Sequence, residues 1–340
     1  MGNEKYDLGD PLVSIAVLAY KHENYISTCL DGILMQKTNF NFEIVIGEDY
    51  SPDDTKKICE QYAGKYSFIN LLPTQQNLGM IPNTMRVYRA CKGKYIAVCE
   101  GDDYWTDPNK LQKQVDFLET HPDYGLVHSD FDKLYEKSGR IIHNFNKNNN
   151  IYNSLNVNIF HNLLTYRYEI STLTVLAKRE FIFKAINTID MSGYLMTDLP
   201  TWLALSQMTK FHYIDESMGV YRKIRGSVSN DPSNYRPFIT SGLRIRLDFA
   251  ERFETPIDIK HKLQKDYLRS LLLQAFYSQD KQLSKKYYTD MTEHNLNLSL
   301  LDWLIFQSIE NKLLHLFLRN IDKIKMFIIV ILKSIVKKNL

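Results

Sequence analysis

Within the first hundred residues, short apolar runs alternate with stretches whose apolar residues recur at helical spacing. Val13 to Ala19 is continuous and rich in β-branched residues, which suits a strand buried on both faces. Ile26, Cys29, Leu30, Ile33 and Leu34 then follow the i, i+3, i+4, i+7, i+8 spacing of a helix. Phe42 to Ile46 reads as a second strand, Phe68 to Leu72 as a third and Tyr95 to Cys99 as a fourth. Between them, Asp53-Asp54-Thr55 can cap a helix carrying Ile58 and Tyr62 inward. Pro82 fits the first turn of the next helix and Gly93 its C-terminal stop. Leu111, Val115 and Leu118 mark a helix after Pro108. Such alternation predicts an α/β fold with a parallel sheet covered by helices on both faces. Ligands of these sheets bind beyond the carboxyl ends of the strands.

The fourth run ends in Cys99-Glu-Gly-Asp-Asp-Tyr-Trp105, which places Glu100, Asp102 and Asp103 within four positions. Acids crowded at the end of a buried strand repel one another and lose water. A hard divalent cation, Mg²⁺ or Mn²⁺, removes that cost and commonly binds together with substrate phosphates. The alternative is a turn former and helix cap. Asp49, at the end of the second strand, falls on the same predicted sheet edge and favours the metal-and-nucleotide reading.

Composition narrows the classes. With 340 residues, 44% apolar and 24% charged, the chain has the make-up of a folded soluble protein. A net charge of +3 argues against a nucleic-acid-binding surface. Cys29, Cys59, Cys91 and Cys99 form no Cys-x-x-Cys pair and lie in apolar patterns, so they read as buried thiols of a reducing compartment. The first residues, Met1 to Asp7, lack the apolar core of a secretory signal, and no run approaches a membrane span.

Further along, residues 140 to 165 are rich in Asn and Lys and read as a surface loop with a short helix, part of an acceptor site. Leu173 to Ala177 is strand-like, Thr197 to Leu205 looks like a capped helix start, and Phe211 to Ile214 and Met218 to Arg222 read as two short strands. From about Tyr235 the pattern is helical, with a boundary placed near 230 to 238. No internal repeat is evident.

Pro11 to Tyr20, Ile46 to Thr55, Asn77-Leu-Gly79, Gly93 to Ala97 and Glu100 to Trp105 occur in order and at suitable spacing. Together they resemble the family 2 glycosyltransferases, which have the GT-A nucleotide-sugar-binding fold. The resemblance implies a mostly parallel, Rossmann-like sheet flanked by helices over residues 11–232, with a C-terminal helical extension. It divides that domain into a nucleotide-binding half at 11–130 and an acceptor-binding half at 131–232. A tail over 1–10 precedes it and a helical region over 233–340 follows.

The resemblance also implies roles. Ala19, Tyr20, Glu23, Asp49, Asn77 and Gly79 would border the nucleotide. Glu100, Asp102 and Asp103 match an Asp-x-Asp-Asp signature, with Asp102 and Asp103 holding Mn²⁺ or Mg²⁺ on the diphosphate. Asp198, in Met196-Thr197-Asp198, matches the family's catalytic base; a helix N-cap is its other reading. Arg222, in Tyr221-Arg222, would bind phosphate or serve as a surface cation, as would Arg225 beside Gly226 to Ser229. Ile224 stands where the family commonly has histidine. The implied activity is an inverting transfer from a nucleotide-diphosphate sugar, UDP by default, to a hydroxyl of a glycan or lipid-linked glycan, as in bacterial surface polysaccharide synthesis. A catalytically inactive nucleotide-sugar-binding module and a sugar nucleotidyltransferase are the alternatives. The protein would be cytoplasmic, at the inner face of the membrane. Ile321, Ile324, Phe327, Ile328, Ile331, Leu332 and Ile335, with nearby lysines, predict a helix within 319–338 that lies on an anionic membrane or packs on protein.

Overall fold

The computed structural model describes residues 10–148, 158–166, 170–224, 235–294 and 296–320. The predicted tail at 1–10 lies outside them but for its last residue. So do the middle of the 140–165 loop, Arg225 with Gly226 to Ser229, and all but the first two residues of the 319–338 helix. Two compact units divide the chain, Met1–Phe249 and Ala250–Leu340.

The first unit is built on a nine-stranded sheet with the order β3-β2-β1-β4-β8-β6-β9-β5, β7 (Arg140–Ile142) pairing with β6. β1 (Val13–Ala19) lies between β2 (Phe42–Glu48) and β4 (Tyr95–Glu100), all parallel, and β3 (Ile69–Leu71) is parallel to β2. The register aligns Ala19 with Glu48 and Leu18 with Glu100, so three strands end at one edge. Helices α1 (Ile26–Leu34), α2 (Thr55–Lys65) and α3 (Met80–Ala90) are the crossovers. Val13, Ile15, Val17, Ile44, Ile46, Tyr95 and Ala97 are fully buried, as expected of strands covered on both faces.

Beyond β4 the sheet turns mixed. β8 (Leu176–Lys178) is antiparallel to both β4 and β6 (Tyr124–Tyr135), and β9 (Lys210–Lys223) runs parallel to β6. Residues Phe211 to Ile214 and Met218 to Arg222 are one strand, not two. An irregularity in the β6 pairing, where Ser129↔Ile214 gives way to Asp130↔Ser217, separates the two apolar segments read from the sequence. The strand expected at Leu173 to Ala177 begins as a 3-10 turn, Thr172–Thr174, and becomes β8 only at Leu176.

Gly93 is not the stop of α3, which ends at Ala90 with an extended Cys91. Its role is close approach: a Cβ there would lie 2.6 Å from the Ser14 nitrogen and 2.8 Å from the Val13 carbonyl carbon. Helix α4 (Lys110–Thr120) follows Pro108, and α8 (Asp198–Ser206) carries the buried Trp202 and Leu203.

The second unit packs α10 (Ile257–Ser278), α11 (Lys281–Glu293) and α12 (Leu300–Ser308) around Leu268, Leu272, Phe276, Met291 and Ile305. Among the described residues, no helix is long and apolar enough to cross a membrane.

Candidate active site

The carboxyl ends of β2, β1 and β4 bring the predicted residues to one sheet edge. At the β2 end, Asp49 is buried and acts first as a clamp. Its Oδ1 accepts from the Leu78 amide (2.9 Å) and its Oδ2 from the Gly79 amide (2.9 Å). Its carbonyl accepts from Asn77 Nδ2 (2.8 Å), and its own amide donates to the Ala19 carbonyl (2.9 Å). Ala19, Asp49, Asn77 and Gly79 are therefore one hydrogen-bonded group. Glu23 joins the same edge through its Oε2, which accepts from the Asp54 amide (3.1 Å).

Two tyrosines flank this group. Tyr20 is 40% exposed at the end of β1 and Tyr50 52% exposed at the end of β2. Tyr50 holds a left-handed backbone (φ 58°), which costs a non-glycine residue free energy and is retained mostly where function demands it.

At the β4 end, carboxylate oxygens of Glu100, Asp102 and Asp103 lie within 4.8 Å of one another. The chain turns back immediately through β5 (Tyr104–Trp105), which pairs with β9 at Val220 and Gly219. Asp103 Oδ1 accepts from the Arg222 amide of β9 (2.8 Å), so the acid cluster is fastened to that strand. Asp103 Oδ2 is buried without a hydrogen-bond partner among the described residues. Burial, with Asp102 and Glu100 nearby, pushes the Asp103 carboxyl well above the usual carboxylate range. Burial likewise raises Glu100 to about 8, with further contributions from Asp102 and Asp198, although the Thr172 hydroxyl donates to it. Three crowded hard oxygens, one of them buried and unpartnered, are the donor set that Mg²⁺ or Mn²⁺ takes. The residues fit the cation that the sequence predicts.

Asp198 is half-buried at the first position of α8, and the N-cap residue Thr197 makes no side-chain cap hydrogen bond. The Asp198 charge is felt by both Glu100 and the buried Tyr88 phenol, whose proton affinity it raises after burial and Cys91. The charge of a carboxylate on α8 thus acts on the acid that ends β4.

Arg222 is 9% exposed, which excludes a plain surface cation. Its guanidinium lies 4.5 Å from the Tyr104 ring centroid and 5.2 Å from that of Tyr25. Its Nε is buried without a hydrogen-bond partner among the described residues. Its Nη1 donates to the Asp102 carbonyl (3.5 Å), which fixes the guanidinium beside the acids, where its fork suits an anion.

Sequence reasoning did not single out His22. Its Nε2 lies 3.9 Å from Asp102 Oδ1, and its Nδ1 is buried without a partner among the described residues. Burial lowers its proton affinity against the pull of Asp102 and Asp53. Gly101 makes the approach possible, because a Cβ there would meet His22 Nδ1 at 2.7 Å. The signal available was position, a histidine just past the end of a central strand.

Comparisons with known proteins agree with this geometry. Residues 14–172 match the profile of the family described as Glycosyl transferase family 2. An uncharacterised protein of Mycobacterium tuberculosis is 40% identical over 129 residues, 38% of this chain and 37% of the relative, so the match spans well under half of that relative's length. The putative teichuronic acid biosynthesis glycosyltransferase TuaG of Bacillus subtilis is 25% identical over 232 residues, 65% of this chain and 82% of the relative. Among solved structures, Staphylococcus aureus TarS with UDP-GlcNAc aligns over 87% of this chain and 79% of its own, at 14% identity and TM-score 0.55. The mannosyltransferase PcManGT of Pyrobaculum calidifontis, with GDP-Man and Mn²⁺, aligns over 88% and 79% at 16% identity and TM-score 0.55. The fold is therefore that of the GT-A glycosyltransferases, and the part of the chain that matches glycosyltransferase family 2 is residues 14–172.

Proposed function

We propose that the protein transfers a sugar, with inversion, from a UDP-sugar to a hydroxyl of a glycan or lipid-linked glycan, in surface polysaccharide synthesis. The observation that carries this reading is the crowding of Glu100, Asp102 and Asp103 at the end of β4, with the charge of Asp198 on α8 acting on Glu100. Each group answers a different demand of the reaction.

A nucleoside diphosphate leaves with concentrated negative charge. Asp102 and Asp103, with Glu100 beside them, would hold the divalent cation, which when bound neutralises charge on the departing diphosphate. Arg222 adds a fixed guanidinium for the phosphate oxygens. Tyr20 offers a flat, half-exposed ring for the base, and the group around Asp49 fixes the loop at 77–79 beside it. Asp198 takes the proton from the acceptor hydroxyl as its oxygen attacks the anomeric carbon from the face opposite the diphosphate. That centre passes through an oxocarbenium-like state, as in glycoside hydrolysis.

The support for a nucleotide-sugar donor is the likeness in fold to TarS with UDP-GlcNAc and PcManGT with GDP-Man and Mn²⁺. A panel of UDP- and GDP-sugars, assayed with Mn²⁺ for donor hydrolysis and transfer, tests the substrate class. NMR of the product anomer tests the stereochemistry. The expected outcome is turnover of a UDP-sugar, an α-linked donor giving a β-linked product. Retention would remove Asp198 from its role, and UDP binding without turnover of any donor would leave a binding module.

A further inference from the structure

His22 stands at the acid edge with no task in the sugar transfer proposed above. Its backbone is fixed on both sides. Lys21 before it holds a left-handed conformation (φ 59°) just past the end of β1. The His22 amide donates to Thr55 Oγ1 (2.8 Å). Its carbonyl accepts from the Tyr25 and Ile26 amides (2.9 and 2.8 Å) as α1 begins. The ring has room because residue 101 is glycine, where a Cβ would lie 2.7 Å from Nδ1. Nδ1 is shut in the interior, which leaves Nε2 as the nitrogen beside Asp102.

The separation of Nε2 from Asp102 Oδ1, 3.9 Å, is too long for a hydrogen bond. It suits two ligands of one ion. Around an octahedral ion with bonds of about 2.1 Å, neighbouring ligand atoms stand about 3 Å apart and opposite ones about 4 Å. Packing alone does not account for this residue. A histidine kept for the core pairs its buried nitrogen, and Nδ1 has no hydrogen-bond partner among the described residues. An apolar ring in the same space would avoid that cost.

A nitrogen among the oxygens changes which ion is preferred. Carboxylates alone hold Mg²⁺ and Mn²⁺ alike, whereas Mg²⁺ takes oxygen ligands and imidazole suits transition ions better. We propose that His22 Nε2 is a ligand of the divalent cation held at Asp102, and that this nitrogen makes the site prefer Mn²⁺ to Mg²⁺. The proposal rests on the cation reading of Glu100, Asp102 and Asp103, and its test keeps the two apart.

The full chain is titrated with Mn²⁺, with and without UDP, and binding is read from loss of the free-ion electron paramagnetic resonance signal. Electron spin echo modulation of the bound ion then reports any coordinated nitrogen. The expected result is a nitrogen modulation that responds to isotopic labelling of histidine and is absent from His22→Phe. That variant should weaken Mn²⁺ by at least about tenfold, with a much smaller effect on Mg²⁺ measured by competition and an unchanged far-UV spectrum. His22→Gln, which keeps a polar side chain in place, should lose the same modulation and serves if the larger ring disturbs the fold. Mn²⁺ bound without a histidine nitrogen, or with the same modulation in the variants, would overturn the proposal and leave the acids as the cation site. No binding of Mn²⁺ by the parent, with or without UDP, would overturn both.

Discussion

The two ends of the same parallel strands treat charge in opposite ways. At the amino end, Ser14 Oγ donates to Glu43 Oε1 (2.6 Å) and accepts from the Gly93 amide (2.8 Å), while the Lys92 amide also reaches Glu43 Oε1 (2.7 Å). The acid there is surrounded by donors. At the carboxyl end, Glu100, Asp102 and Asp103 face one another, and Asp103 Oδ2, His22 Nδ1 and Arg222 Nε are buried without partners among the described residues. Protein interiors rarely leave such groups unpaired, since each costs roughly 1–3 kcal/mol. One end of the sheet is therefore closed on itself, and the other is left incomplete for something that is not protein.

The largest effect should come from the incomplete end. Asp198→Asn should lower turnover by about 10²–10⁴-fold, the range for loss of a general base. Asp102→Asn should cause a comparable loss and also cancel the rise in melting temperature that Mn²⁺ gives the parent. Both variants should keep the parent's circular dichroism. Near-normal turnover in either would remove that residue from the machinery, and an intact Mn²⁺ response in Asp102→Asn would move the cation elsewhere.

The same contrast explains what the sequence could disclose. Strands β1, β2 and β4 are legible because burial on both faces makes them unbroken apolar runs. The acids after β4 stand out for the same reason, as charge directly follows a buried strand. Strand β6 escaped notice because its interior is polar: His128, Ser129 and Asp130 are fully buried. Asp130 is tolerated there because its carboxylate accepts from the Phe131, Asn146 and Lys147 amides, partners that no local pattern reveals. Gly93 was read as a helix stop because spacing cannot show that the backbone of β1 passes against it. His22 gains meaning only from Asp102, 80 positions away, and the tie of Arg222 to the acids only from the Asp103 carboxylate, about 120 positions away.

Ser14→Ala tests the closed end. It removes a buried hydroxyl and leaves the Gly93 amide without its acceptor, which should cost about 1–3 kcal/mol of stability. Donor affinity and turnover at a temperature where the variant is folded should match the parent. Loss of turnover with unchanged stability would break the division between the two ends.

The smallest effect concerns a buried charge behind the acid edge. Lys110 is fully buried, donates to Gln114 Oε1 (2.8 Å) and lies 4.3 Å from the Trp105 ring centroid. Burial lowers its ammonium from 10.5 to about 7, against the opposing pull of Cys99 and Asp107. Between these values the folded chain binds fewer protons at this site than the unfolded chain does. Its contribution to stability therefore rises as pH rises from about 7 towards 10.5. Below about 7 both states are protonated and the full cost of the buried charge is present. Other groups titrate in the same window, so the informative quantity is the difference between the parent and Lys110→Met. Urea denaturation at steps from pH 7 to 8.5 should show the parent gaining on the variant by up to about 1.4 kcal/mol per pH unit, the limit for one proton. Parallel curves would mean that Lys110 stays charged in the fold, held by Trp105 and Gln114 strongly enough to offset its burial.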